Sequence, residues 1–246
     1  MTVAVAVQVA AFGLSALLAL LRFPGALRGR NRGMFTCMVL IALAMALSLP
    51  VFYNAVDALL GGRNLTNLVL RLALYAVFVI LGVKAAAAFG APRAGKLIVG
   101  PIGLVVLGLT VGLTVYLFAA SELPVSSAGL MIYDDQRSVQ LYASVGRLYP
   151  GYVAACICLP ALAAAANTRL KPLHRLGAGL VGSGLVIVVI FCALIELFFI
   201  GVFGLLLPFT AVILVTLGLT VMWVSHLRQR RRPSRNLLAE SYQNVS

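Results

Sequence analysis

The sequence predicts an all-α membrane protein, a bundle of seven transmembrane helices with its N-terminus outside and its C-terminus in the cytoplasm. Of its 246 residues, 62% are hydrophobic and 10% are charged, whereas soluble domains are roughly 45–50% apolar and 25% charged. The apolar residues form runs of the length, about 20 residues, that a bilayer crossing requires. Lys and Arg are concentrated in alternate connections between these runs. The composition therefore excludes a water-soluble globule and leaves no room for a large soluble domain.

Seven spans follow from the apolar runs, and a basic tail over residues 225–246 is predicted to be mobile. The first run lacks a basic stretch ahead of its apolar core and carries its positive cluster afterwards, which is typical of an outside-first anchor and not of a cleaved signal peptide. The predicted spans are residues 2–21, 34–55, 67–88, 97–119, 139–164, 176–200 and 204–224.

The last two spans come from one nearly unbroken apolar run over residues 176–224, which is about twice the length of a single crossing. Gly201, Gly204 and Pro208 are the turn signals within it. We therefore predict a tight outer hairpin there, with a single very long helix as the weaker alternative.

The distribution of basic residues predicts the orientation. Fifteen of the 19 Lys and Arg lie in the first, third and fifth connections or in the tail, and four of the six acidic residues lie on the opposite side. By the positive-inside rule the basic side is cytoplasmic, so we expect a multi-pass protein whose N-terminus faces out. The net charge of +13 thus predicts topology and no nucleic-acid partner. The four tail arginines are either a flank that fixes topology or a contact for anionic lipid: Arg228, Arg230, Arg231 and Arg232.

Catalytic and metal-binding motifs are missing from the sequence. The two histidines, His174 and His226, fall at cytoplasmic ends of predicted helices, so neither is placed to activate a buried serine or to form a zinc site. The four cysteines lie inside apolar runs and are interpreted as small buried hydrophobic residues. We predict a protein that is not an enzyme, with no cofactor and no metal.

Three charged residues fall inside predicted spans, where a charge costs roughly 2.5–3.5 kcal/mol at the helix centre and requires a partner or a hydrated cavity. They are Arg71, Arg147 and Glu196, all in the outer half. One arginine paired with the glutamate would leave the other as a net positive site for an anionic or carboxylate-bearing group. The alternatives are a salt bridge that sets helix register, or snorkelling of Arg71 and Glu196 to the outer surface.

The fifth predicted helix carries a second signal. Tyr142, Tyr149 and Tyr152 recur at spacings of seven and three and share one helix face, so their hydroxyls are expected to find partners away from lipid. Pro150 and Gly151 predict a helix break near the middle of the membrane. Interrupted helices line binding sites in transporters, and a plain kink is the alternative.

The outer connections contain turn residues. The loop over residues 53–67 has an apolar spacing suited to a short interfacial helix, and Asp57 and Asn64 are its candidate functional residues. The loop over residues 121–138 is acidic and is expected to cap the bundle.

A pattern in this region resembles a family of uncharacterised actinobacterial seven-helix membrane proteins, which are described as transporters. The pattern comprises a proline near the end of helix two, Asp57, Leu60-Gly61, Asn64-Leu65 and Arg71-Leu72, and later a tyrosine-rich helix five. The resemblance implies a seven-helix plasma-membrane protein with an outward-facing N-terminus. Members of that family commonly continue into a cytoplasmic domain, whereas this chain is expected to stop after a basic tail, so a role that depends on such a domain is not expected.

The sequence leaves two classes of function open. In the first, the outer polar site makes the protein a transporter or a ligand-sensing receptor for a small polar or anionic solute. The lack of similarity between helices one to three and five to seven argues against a transporter built from repeats. In the second, it is a non-catalytic subunit or scaffold that binds other membrane proteins or anionic lipid. Pairs of small residues four apart favour close helix packing in either case, among them Ala178 with Gly182 and Gly108 with Gly112.

Overall fold

A computed structural model describes residues 3–29, 32–197 and 203–230, and its regular structure there is entirely helical. The predicted all-α fold is therefore confirmed for this part of the chain. The helices are α1 (Val3–Leu27), α2 (Arg32–Leu47), α3 (Pro50–Leu59), α4 (Leu65–Ala88), α5 (Pro92–Val99), α6 (Pro101–Ala119), a 3-10 helix (Ala128–Tyr133), α7 (Arg137–Ala166), α8 (Pro172–Leu197) and α9 (Phe203–Arg230).

Six of the described helices are long and apolar enough to cross a membrane: α1, α4, α6, α7, α8 and α9. The predicted span 34–55 is wrong as a single helix, because α2 and α3 meet at an angle of 95°. Pro50 explains the break. A residue before proline is driven out of the helical region, and Leu49 is extended, with φ −86° and ψ 127°. The short interfacial helix predicted in the following loop corresponds to α3.

The predicted span 97–119 also consists of two helices, α5 and α6. The junction has the same cause, since Gly100 precedes Pro101 and adopts an extended conformation with ψ −177°. The predicted basic tail starts later than residue 225, because α9 continues as helix to Arg230. The rest of that tail, residues 231–246, lies outside the described residues.

Successive long helices run in opposite directions, so the bundle has two distinct ends. The first, here called the loop end, holds α3, the 3-10 helix and the connections over residues 60–64 and 120–136, with most of the acidic residues. The second, here called the basic end, holds the end of α1, the start of α2, α5 and the connection between α7 and α8. The charges that predict the orientation are thereby separated in space.

Helix α8 packs against α7 on one side and α9 on the other, and glycines allow the close approach. A Cβ at Gly177 would lie 2.9 Å from the carbonyl oxygen of Gly218, and one at Gly184 would lie 3.0 Å from that of Ala211. These contacts pair the start of α8 with the later part of α9, so the two helices are antiparallel neighbours. The apolar run 176–224 is therefore two helices.

Two of the predicted turn residues of the hairpin, and one of the small-residue pairs, differ from expectation. Gly201 lies outside the described residues, whereas Gly204 and Pro208 belong to α9. Gly108 and Gly112 were expected in a packing seam, but no atom comes within 4 Å of a Cβ built at either position. Both glycines lie on the surface of α6, where large apolar side chains such as Leu109 and Leu113 are also exposed.

Candidate functional site

A cavity of about 370 Å³ lies inside the bundle toward the loop end, and it is here called the loop-end cavity. Most of its wall is apolar, and the 3-10 helix contributes Ala128, Gly129 and Met131 to it. Its polar lining comes from four helices and the connection between α2 and α3: Gln8, Ser48, Tyr53, Asn67, Arg71 and Arg147. The structure thus places two of the three predicted intramembrane charges on one cavity wall.

Arg147 and Glu196 form the one ion pair among the described residues. The Nε of Arg147 donates to Oε1 of Glu196 at 2.9 Å, and Nη2 donates to the same oxygen at 2.5 Å. The hydroxyl of Ser144 donates to the other carboxylate oxygen at 2.8 Å. Both oxygens of Glu196 are therefore occupied, and its charge balances that of Arg147.

Arg71 has no carboxylate partner among the described residues. Its guanidinium lies over the ring of Tyr142, 4.2 Å from the ring centroid, and Nη1 donates to the carbonyl of Ala143 at 3.5 Å. Its buried Nε has no hydrogen-bond acceptor in the described structure. Arg71 thus supplies one uncompensated positive charge to the cavity wall.

Gly146 creates the space that Arg71 occupies. A Cβ built at Gly146 would lie 1.4 Å from Nη1 and 2.5 Å from Cζ of Arg71, so any larger residue must displace the guanidinium. Sequence reasoning missed this residue. The signal that could have found it is the position of a glycine directly beside Arg147, one turn after Tyr142 on α7.

The three tyrosines of α7 do not line the cavity, contrary to the expectation that they belong to the same site. Tyr142 and Tyr149 are buried on the face toward α4 and α6, where Tyr142 donates to Asn67 Oδ1 at 2.9 Å and the ring of Tyr149 contacts that of Tyr75. Contrary to the expectation for the three hydroxyls, that of Tyr149 has no hydrogen-bond partner among the described residues. Tyr152 donates to the carbonyl of Leu97 at 2.7 Å. The ring of Tyr142 therefore supports the guanidinium of Arg71 from the side that faces away from the cavity.

The predicted break at Pro150 and Gly151 is wrong, because α7 continues through both residues as far as Ala166. Proline removes one backbone donor, and the rest of the 30-residue helix retains its conformation. Pro150 lines the cavity. Gly151 allows α8 to approach, since a Cβ there would lie 3.3 Å from Cβ of Cys192.

Asp57 is fully buried and joins three segments of the loop end, an arrangement here called the Asp57 clamp. Its carboxylate accepts hydrogen bonds from the backbone N–H of Asn64 (2.9 Å), the backbone N–H of Thr66 (3.1 Å) and the hydroxyl of Ser126 (2.5 Å). Two of these donors lie at the start of α4, at its N-cap residue Asn64 and in its first turn at Thr66, and the helix has no side-chain cap from Asn64 itself. Burial raises the pKa of Asp57, but these hydrogen bonds outweigh it and hold the pKa below its ordinary value.

Asn64 completes the clamp from the other side. Its Oδ1 accepts from the hydroxyl of Tyr53 at 2.9 Å and from the N–H of Ser127 at 2.7 Å, and its Nδ2 donates to the carbonyl of Val125 at 2.7 Å. Asn64 has a φ of 58°, a left-handed conformation that asparagine tolerates better than most residues. Asp57 and Asn64 therefore hold the capping loop over the cavity and do not themselves line it.

The structure leaves the predicted lipid contact of the four tail arginines untested. Arg228 and Arg230 belong to the last turn of α9 at the basic end, and Arg231 and Arg232 lie outside the described residues. Their contact with anionic lipid stays a prediction.

No protein-family model, curated protein or solved structure matches this chain. The resemblance to the actinobacterial family therefore stays a prediction, and the geometry of the bundle alone carries the functional argument.

The Arg147–Glu196 pair gives a first testable expectation. Glu196→Gln leaves the Arg147 charge unbalanced and should lower the free energy of unfolding by about 1–3 kcal/mol. The double variant Arg147→Met with Glu196→Met should recover most of that loss, because replacing both members by apolar groups removes the uncompensated charge. Thermal unfolding in detergent measures both. A double variant less stable than Glu196→Gln would contradict the pairing.

Proposed function

We propose that this multi-pass membrane protein binds an organic anion, a carboxylate attached to an apolar body, in the loop-end cavity. The observation that carries the proposal is Arg71, a cation on the cavity wall that has no carboxylate partner among the described residues. The cavity wall suits the rest of such a ligand, since binding sites for small molecules are mostly apolar with a few oriented polar groups.

The energetics of a charge in a membrane support this assignment. An arginine at the helix centre costs roughly 2.5–3.5 kcal/mol, and burying its Nε without an acceptor adds to that cost. A bound carboxylate would supply both the counter-charge and the acceptors, and the planar guanidinium suits two parallel hydrogen bonds to it. Arg147 is already neutralised by Glu196, so the cavity favours a single negative charge.

The orientation extends the proposal to a biological role. With the bent pair of α2 and α3 counted as one crossing, in which α2 spans and α3 lies at the loop end, the described residues cross the membrane seven times, and by the positive-inside rule the loop end is outside and the basic end is in the cytoplasm. The cavity then receives its ligand from outside the cell, in the plasma membrane. The protein acts as a transporter or as a ligand-sensing receptor for such anions.

The experiment compares carboxylates with their uncharged amides. Purified protein is heated with 4-phenylbutyrate or decanoate, and in parallel with 4-phenylbutyramide or decanamide. A carboxylate at about 100 times its Kd stabilises by about 2.7 kcal/mol, which raises Tm by about 5–10 °C for a chain of this size. Stabilisation by the acids and not by the amides is expected. Equal shifts for acid and amide, or no shift with any acid, would contradict the proposal.

A second function is favoured by the exposed glycines of α6. Gly108 and Gly112 leave an open strip on that helix, and such spacing permits close contact with another transmembrane helix. As a subunit of a membrane complex, the protein would lose its partner on Gly112→Leu while keeping its own Tm, whereas Gly184→Leu at the α8–α9 contact would lower Tm. Retention of the partner by Gly112→Leu would contradict this function.

A further inference from the structure

A second cavity of about 370 Å³ lies at the basic end of the bundle, remote from the proposed carboxylate site, and is here called the basic-end cavity. Five helices contribute to it. Nitrogen-bearing side chains from four of them line it together: Arg22 of α1, Lys84 of α4, His174 of α8 and His226 of α9. These residues are far apart in the sequence, and the fold brings them to one place.

Arg22 is the fixed element of this cavity. It is 6% exposed, its Nη2 donates to the carbonyl of Leu219 at 3.1 Å, and its guanidinium lies 5.0 Å from the ring centroid of Trp223. Its buried Nε has no acceptor among the described residues. The arginine is therefore held by α9 while one donor remains without a protein partner.

Lys84 supplies a second positive charge and is exposed at the cavity. The side chain runs along α2, where a Cβ built at Gly33 would lie 3.2 Å from its Cε. No acidic residue of the described chain lines this cavity, since Asp57, Glu122, Asp134 and Asp135 belong to the loop end and Glu196 pairs with Arg147. The positive charges of Arg22 and Lys84 thus face the cavity without a carboxylate from the described residues.

We propose that the basic-end cavity binds a phosphate monoester group. The two permanent cations, Arg22 and Lys84, match an anion that carries more than one negative charge, in contrast to the single uncompensated arginine of the loop-end cavity. Arg22 offers a planar fork and Lys84 a point charge, the two side chains that proteins use most for phosphate. Met34, Leu219 and Met222 form an apolar wall beside them, which suits an acyl chain or another apolar substituent on the phosphate.

This chemistry has two sources, a lipid headgroup and a soluble phosphate ester, and the experiment separates them. In the lipid arm, native mass spectrometry counts phosphatidic acid retained by the full-length protein, with phosphatidylglycerol, a diester, as the comparison. In the soluble arm, phenyl phosphate is titrated against the protein in detergent, with phenyl sulfate as the comparison. Preference for the monoester in either arm supports the site and identifies its source, and no preference in both arms overturns it.

The decisive variant is Lys84→Gln, because Lys84 is exposed and its replacement leaves the core unchanged. Affinity for the monoester should fall at least tenfold. Lys171→Gln is the matched control, since Lys171 is an exposed lysine at the same end that does not line the cavity. The affinity of this variant for the monoester should change less than twofold. Equal losses in the two variants would show diffuse attraction to a basic surface and would overturn the site.

The proposal is independent of the carboxylate site, because Arg71→Gln is expected to leave monoester binding unchanged.

Discussion

Replacing Gly146 with alanine is expected to lower carboxylate binding at the loop-end cavity at least tenfold. The added methyl group would coincide with Nη1 of Arg71, at 1.4 Å, so the guanidinium must leave its place over the Tyr142 ring. The displaced side chain can no longer offer its N–H groups to a ligand from a fixed position, and a preorganised group binds more tightly because less ordering is needed on binding. The measurement is a saturation isotherm with 4-phenylbutyrate.

Gly151→Ala provides the matched control on the same helix. Its methyl group would meet only the side chain of Cys192, at 3.3–3.4 Å, which requires a shift of a few tenths of an ångström. Binding should stay within about twofold of wild type, consistent with a small relaxation of packing. If Gly146→Ala bound 4-phenylbutyrate as tightly as Gly151→Ala, Arg71 would not be the anion-binding group.

Asp57→Ala is expected to destabilise the protein by about 3–5 kcal/mol, the largest stability loss predicted for this chain. The substitution leaves two N–H groups at the start of α4 and the Ser126 hydroxyl without their acceptor, and hydrogen bonds to a charged group contribute about 1.5–3 kcal/mol each. Tm should fall by about 6–20 °C. Asp135→Ala removes an exposed carboxylate from the same end and should change Tm by about 2 °C or less. Equal Tm values for the two variants would contradict the clamp.

The same carboxylate predicts a pH dependence. The hydrogen bonds hold the pKa of folded Asp57 below its ordinary value, so its contribution to stability is complete above the pKa of the unfolded chain, about 3.9. It is lost as pH falls through the lower, folded pKa. The stability difference between wild type and Asp57→Asn should therefore be constant from about pH 7 to 5 and shrink below about pH 4. A difference that grew on acidification would contradict the clamp.

The positions of the long helices could be predicted from the sequence because a bilayer crossing needs an apolar run of known length. The breaks could not. Pro50 and Pro101 start new helices, whereas Pro24, Pro150, Pro160 and Pro208 lie inside continuous ones. A proline removes one donor in every case, and packing against neighbouring helices decides whether the helix survives. The sequence alone does not show how the neighbouring helices pack around each proline.

The sequence identifies the charged residues of the site but not which of them pair with one another. Their cost in the membrane marks Arg71, Arg147 and Glu196 as functional or structural positions. Which arginine pairs with Glu196 depends on the rotation of α7 relative to α8, a tertiary property. The tyrosines show the same limit: their spacing places Tyr142 and Tyr149 on one face, but that face contacts α4 and α6 instead of the cavity.

The central claim is that Arg71 binds the carboxylate of an organic anion in the loop-end cavity, and equilibrium binding in lipid nanodiscs tests it most directly. Radiolabelled 4-phenylbutyrate is titrated against wild type, Arg71→Gln and the control Arg63→Gln, a substitution in the loop outside the cavity. We predict saturable binding to wild type and Arg63→Gln, competed by decanoate and not by decanamide, and no saturable binding to Arg71→Gln. Saturable binding to Arg71→Gln with the affinity of wild type would contradict the claim.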